Sequence, residues 1–101
     1  MDNSLPDLSA FTSKLTPDQV LHQVVMAEKR RRKTLGLTQA ALAKKAAVSL
    51  GSLKRFEQQG EIAFSSLCRI GFALDALDDF LKLFARPAYR TIEDVLHDSS
   101  R

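Results

Sequence analysis

Residues 35–60 read Leu35-Gly36-Leu37-Thr38-Gln39-Ala40-Ala41-Leu42-Ala43-Lys44-Lys45-Ala46-Ala47-Val48-Ser49-Leu50-Gly51-Ser52-Leu53-Lys54-Arg55-Phe56-Glu57-Gln58-Gln59-Gly60. Thr38 stands where a helix N-cap belongs, and the Ala-rich run behind it favours helix and permits close packing. Ala47 and Val48 make a corner. Ser49 caps a second segment, in which Leu53 and Phe56 share an inward face three residues apart. Gly60 ends it. The second segment opens on small residues (Ser49, Gly51, Ser52) and sends Lys54 and Arg55 outward. Small residues at the tip, long polar chains outside and an apolar face fixed inside are what a groove-reading helix needs. The layout is that of a helix-turn-helix, which places one helix in the DNA major groove.

Working outward, Thr16 reads as an N-cap, with Pro17 at the first helical position and Gln19 completing a capping box. Leu21, Val24, Val25 and Glu28 follow at helical spacing, predicting a first helix to about Lys33 or Thr34, closed by Gly36. Beyond Gly60, Phe64, Leu67, Ile70 and Leu74 form the expected inner stripe of a fourth helix. Leu77, Phe80, Leu81 and Phe84, at i, i+3, i+4 and i+7, predict a fifth, which Pro87 stops. Thr91 is a plausible cap for a short apolar edge of Ile92, Val95 and Leu96. Residues 1–15, with Leu5, Leu8 and Phe11 interrupted by Pro6, read as a flexible arm. No strand alternation and no internal repeat is visible. The expected class is all-α: a five-helix domain over residues 16–85, an N-terminal arm, and a C-terminal tail (86–101) with a short helix.

Composition agrees with a soluble globular chain: 101 residues, 45% hydrophobic and 27% charged. No apolar run approaches the roughly 18 residues of a membrane span. The start Met1-Asp2-Asn3-Ser4 does not read as a secretory signal. Cys68 is the single cysteine, so an intrachain disulfide is impossible; a reducing cytoplasm fits, and Cys68 reads as a small packing residue. His22 and His97 lack ligand-spaced neighbours and read as surface histidines rather than metal ligands. Asp78 and Asp79 are adjacent, diverge on a helix, and cannot act as a paired acid and base. With no nucleophile motif and no phosphate-binding glycine loop, neither an enzyme nor a cofactor is expected. The net charge is +3, but its distribution says more. Between Lys29 and Arg55 lie nine Lys or Arg and no acid; from Glu57 onward there are eight acids and five bases. A basic block of this kind suggests a DNA-facing side, although charge runs are usually just solvated surface.

Leu37-Thr38-Gln39, Leu42-Ala43, Val48-Ser49, Leu53 and Glu57 resemble the lambda-repressor-like (Xre-type) helix-turn-helix family, over about residues 20–84. The resemblance implies that the exposed start of the third helix reads bases, here Leu50, Gly51, Ser52 and Arg55. It implies that Gln39 holds phosphate and sometimes supports base contacts; Lys54 is expected on phosphate, and Thr38 and Ser49 belong to the same DNA-binding set. It also implies an ion pair between Arg32 and Glu57, making Arg32 scaffold rather than a DNA contact. Leu50 and Gly51 depart from the long polar readers of many relatives. Neither can hydrogen-bond a base edge through its side chain, though Leu50 can touch a thymine methyl. A short, partly shape-read half-site is expected. The Glu57-Gln58-Gln59-Gly60 stretch is one residue longer than the common Glu-x-Gly, and Ala63 replaces a capping hydroxyl.

The Ala76-Leu77-Asp78-Asp79-Phe80-Leu81-Lys82-Leu83-Phe84 segment and the tail around Tyr89, Ile92, Val95 and Leu96 are similar to HipB-type antitoxins. That resemblance implies a cytoplasmic, nucleoid-associated homodimer that binds double-stranded operator DNA upstream of its own operon and represses it. It also implies a Hip-type Ser/Thr-kinase toxin as partner, held through Tyr89, Ile92, Val95 and Leu96. Two other readings stay open: a stand-alone repressor of the same type, and a protein-binding adaptor with vestigial DNA contact.

Overall fold

A computed structural model describes residues 15–88. The apolar residues of the expected arm (Leu5, Leu8, Phe11) and the tail residues expected to hold a partner (Tyr89, Ile92, Val95, Leu96) lie outside the described residues, as do Thr91 and His97. All regular structure among the described residues is helical, an all-α fold over 15–88. In order come α1 (Pro17–Thr34), α2 (Gln39–Ala46), α3 (Leu50–Gln59), α4 (Phe64–Ala73) and a 3-10 helix (Leu77–Lys82). No helix among them is long and apolar enough to cross a membrane.

Each helix start follows from local chemistry. The Thr16 hydroxyl accepts from the Gln19 amide at 3.1 Å and the Gln19 side chain accepts from the Thr16 amide at 2.9 Å, a reciprocal capping box. Thr38 Oγ1 accepts from the Ala41 amide at 3.0 Å, and Ser49 Oγ from the Ser52 amide at 3.0 Å. Each such cap contributes about 1 kcal/mol. At α4 the N-cap is Ala63, which offers no side-chain acceptor. Gly60, at φ 75°, ends α3 in the left-handed region, and a Cβ there would come within 2.6 Å of Leu21. The glycine is required both by its backbone angle and by the close pass of α1.

Leu42, Leu53, Phe56 and Ile70 are fully buried, with Leu74 beside them. Small residues on α2 (Ala43, Ala46) and α4 (Ala73) let the helices approach closely, and Leu37, Val48 and Ile62 pack at the edge. Packed against both α3 and α4, α2 is the hub of the fold. At about 1.5–3 kcal/mol per buried Leu, Ile or Phe, this cluster holds α3 at a fixed angle to α2.

Three expectations are corrected. The fifth helix is not an α-helix but a six-residue 3-10 helix, about two turns long. In a 3-10 helix residues advance about 120° each, so i and i+3 align while i+4 and i+7 swing away. Leu77 and Phe80 therefore line up, and Phe80 packs on Gly71, where a Cβ would lie 2.5 Å from its ring. Leu81 turns outward to 80% exposure, and Phe84, at φ 58°, is fully exposed. Second, Phe64 does not enter the core of α4; it is exposed and packs at a tilt on Phe80, with ring centroids 5.9 Å apart. Third, Leu21 and Val24 stay partly exposed, whereas Val25 and Glu28 are buried. Val24 lines an open groove of about 650 Å³ against Leu67, Ile70 and Leu83.

Candidate nucleic-acid interface

The solvent face built from α2 and α3 begins with backbone. Ala47 adopts φ 57°, ψ 40°, a left-handed residue that reverses the chain between the two helices. Its amide closes on the Lys44 carbonyl at 3.2 Å, and Val48 closes on Ala43 at 3.0 Å. Four residues expected on DNA (Ser49, Leu50, Gly51, Lys54) are exposed at the start and outer side of α3, with Thr38 exposed at the start of α2. Nothing lies within 4 Å of where a Gly51 Cβ would be. Ser52 is half-buried, and its hydroxyl accepts from Ser49 Oγ at 2.8 Å. The small residues at the tip thus form a self-capped, low-relief surface that another backbone can approach.

Behind that face sits a buried polar cluster. Arg32 from α1 donates through Nε to Glu57 Oε2 at 2.9 Å and through a terminal nitrogen to Glu57 Oε1 at 3.0 Å. Its other terminal nitrogen donates to the Leu37 carbonyl at 3.0 Å. Gln39, at the start of α2, donates to Glu57 Oε1 at 3.0 Å. One carboxylate on α3 therefore receives α1 and α2 together. Gln39 is drawn inward by this bond, so the side chain expected on phosphate also belongs to the scaffold. Burial alone would raise the Glu57 carboxyl, but the hydrogen bonds from Arg32 and Gln39, with the Arg32 charge, outweigh it and hold its pKa below the ordinary value. The Glu57 carboxylate raises the Arg32 pKa further.

Glu28 completes the cluster. It is 7% exposed, its oxygens meet no hydrogen-bond donor, and the Arg32 Nε lies at 4.0 Å. Burial, and then the neighbouring Glu57, push its pKa from 4.5 up to about 8. A carboxyl pushed up to about 8 favours the neutral form at neutral pH, so the cluster sets one guanidinium against one carboxylate.

Two further partners redistribute the basic block. Arg31 donates from Nε to the Leu74 carbonyl at 2.6 Å and from a terminal nitrogen to the Asp75 carbonyl at 2.9 Å. It caps the C-terminal end of α4 while the residue itself stays exposed. Arg55 meets Glu61, with both guanidinium contacts on Glu61 Oε1 at 2.9 and 2.7 Å, in an exposed pair. Of the nine bases between 29 and 55, Arg31, Arg32 and Arg55 thus have carbonyl or carboxylate partners. Lys54 projects from α3 and has none of these contacts. Sequence reading missed the partners of Arg31, the Arg55–Glu61 pair and the raised pKa of Glu28. The groups concerned lie across a helix end or a tertiary contact, where no periodic signal reaches.

No family model matches this chain, and neither a curated protein nor a solved structure matches it.

Proposed function

We propose that this chain is a sequence-specific DNA-binding repressor of the lambda-repressor-like helix-turn-helix type, with α3 in the major groove. The observation that carries the reading is the α2–corner–α3 unit. A small-residue tip (Ser49, Gly51, Ser52) with Lys54 outside stands on an α3 tied to both α1 and α2 through Glu57. Preorganisation of this kind reduces the ordering cost of binding. Thr38 and the amides that open α2 supply phosphate contacts, Lys54 sits on phosphate, and Arg55 swings from Glu61 to a base edge. Leu50 contributes apolar contact and Gly51 close backbone approach. A single α3 covers one half-site, so the operator is read by a homodimer. Within this reading the chain is the antitoxin subunit of a Hip-type operon, repressing its own promoter and holding a Ser/Thr-kinase toxin. The support for that step is the sequence of residues 76–96.

The test is a gel shift with the duplex upstream of the chain's own gene. Affinity falls with salt, with a log–log slope of about 0.9 per phosphate neutralised. Lys54→Ala lowers that slope by about one while weakening all sequences alike, and Arg55→Ala relaxes sequence preference. Binding indifferent to both substitutions overturns the reading. A second reading, a protein-binding adaptor, is favoured by the Arg55–Glu61 pair and by Leu50 and Gly51, which lower the polar content of the tip. It predicts no duplex retention at low salt.

A further inference from the structure

Among the described residues, Glu28 is the buried side chain whose oxygens have no hydrogen-bond partner. A polar group left in that state costs free energy, and its place beside Arg32 gives it a role. Arg32 Nε stands 2.9 Å from Glu57 Oε2 and 4.0 Å from Glu28 Oε2, so one nitrogen is within ion-pair reach of two carboxyl groups. The same guanidinium donates to the Leu37 carbonyl, just ahead of the Thr38 cap of α2. Glu57 also accepts from Gln39, the first residue of α2. A shift of Arg32 toward Glu28 therefore pulls at the start of α2 and at α3 together.

We propose that Glu28 is a proton-operated positioning residue for the α2–α3 face: while neutral it leaves Arg32 on Glu57 and the Leu37 carbonyl, and once ionised it draws Arg32 to itself and loosens the start of α2 and the seat of α3. The proposal rests on the reading of that face as a DNA interface and names what regulates it. The charges bearing on Glu28 are Arg32 and Lys29 from its own helix and Glu57 from α3. Glu28 also lines a groove to which α1 brings Arg30 and Arg31 and the 3-10 helix brings Asp79, while α4 brings apolar side chains and Gly71. Arg31 is held there by the Leu74 and Asp75 carbonyls. A Glu28 carboxylate therefore has Arg32 within ion-pair reach, and Glu57 already holds it. Burial and Glu57 push the Glu28 carboxyl up to about 8, which puts the change just above neutral pH. Two effects then favour the neutral form on DNA. Duplex phosphates disfavour another negative charge in the domain, and the intact Arg32–Glu57–Gln39 tie holds α2 and α3 in one geometry. Binding thus takes up a proton, and by linkage affinity falls as pH rises.

The experiment uses the full chain and has two arms. In the first, fluorescence anisotropy reads affinity for the duplex upstream of the chain's own gene from about pH 6.5 to about pH 9.5, at constant ionic strength. The expected wild-type result is a loss of roughly three- to tenfold per bound subunit as pH rises through about 8. Glu28→Gln, which stays neutral, keeps the wild type's low-pH affinity across the range. The ratio of the two proteins at each pH cancels the titration of His22, Cys68 and every other shared group, and helical circular dichroism at each pH checks folding. In the second arm, without DNA, nuclear magnetic resonance follows the side-chain amide of Gln39 and the backbone amide of Thr38. Both move in wild type with a midpoint near about 8 and stay still in Glu28→Gln. Two results overturn the proposal. One is the same pH dependence of affinity in both proteins. The other is a wild-type Gln39 amide indifferent to pH, a measurement that needs no variant. A wild type whose amides move as expected but which binds no duplex at any pH upholds the proton-driven rearrangement and counts against the repressor reading alone.

Discussion

Glu57 shows how one side chain sets the state of its neighbours. Its two oxygens receive Arg32 and Gln39, so the α3 carboxylate is worth more as an anchor than as a surface charge. Arg32→Met leaves Glu28 and Glu57 as buried acids with no cation, and the expected cost is about 3–5 kcal/mol in urea unfolding. Arg32→Lys recovers only part, because an ammonium cannot reproduce the planar, two-pronged contact. The exposed Arg55–Glu61 pair belongs to the opposite regime. Pairs of this kind contribute about 0.2–1 kcal/mol, so Arg55 can leave Glu61 at little cost. Glu61→Gln therefore leaves thermal stability nearly unchanged. On the proposed repressor reading it strengthens binding to the upstream duplex by about two- to fivefold, since it frees Arg55 and removes an acid from the face proposed to meet phosphate. Equal affinities of Glu61→Gln and wild type in the gel shift would remove Arg55 from the DNA contact.

At the scale of the element, α3 and its corner make paired predictions. Ala47 holds φ 57°, a region that costs an L-residue with a Cβ about 1–2 kcal/mol. Ala47→Gly relieves that strain and raises stability by roughly 0.5–1 kcal/mol after the entropy of glycine is subtracted. Gly51 is helical with open space around it, so Gly51→Ala stabilises the unbound protein by about 1 kcal/mol. If the tip meets DNA backbone, that methyl group weakens duplex binding while melting temperature rises. Parallel gain of stability and affinity would show that Gly51 is not at the contact. These elements also mark what sequence could and could not disclose. Thr16, Thr38 and Ser49 were legible because a cap is settled within three residues. The Arg32–Glu57 pair came from resemblance, not periodicity. Arg31 on the Leu74 carbonyl was not legible, because the two lie 43 residues apart and meet only after α1 and α4 pack. The 3-10 helix was misread because Leu77 and Phe80, three apart, fit either helix; only Leu81 and Phe84 separate them, and their outward turn depends on backbone rather than pattern.

For the whole molecule, the buried cluster makes stability a function of pH, since Glu28, Arg32, Gln39 and Glu57 tie α1, α2 and α3 together. The groups bearing on Glu28 are Arg32 and Lys29 from its own helix and Glu57 from α3. Its pKa rises on folding from 4.5 to about 8, so the folded state holds a proton that the unfolded chain releases. The stabilisation from the protonated form is complete below pH 4.5 and is lost as pH climbs through about 8. The slope in that window approaches about 1.4 kcal/mol per pH unit for one proton. Glu57 works in the other direction: its pKa is lowered, so its contribution is present above the ordinary carboxylate range and is lost as pH falls through its folded value. Glu28→Gln separates the two. Glutamine keeps the shape, is neutral as the protonated acid is, and does not titrate. The variant and wild type should therefore have similar stability near pH 4.5, and diverge in the variant's favour toward pH 8. The gap reaches a few kcal/mol and then stays flat at more alkaline pH. Urea unfolding of both proteins in parallel, taken as the difference at each pH, cancels every other titrating group. A difference that does not change between pH 5 and 9 would mean that Glu28 is ionised in the folded chain and that Arg32 carries both acids at once.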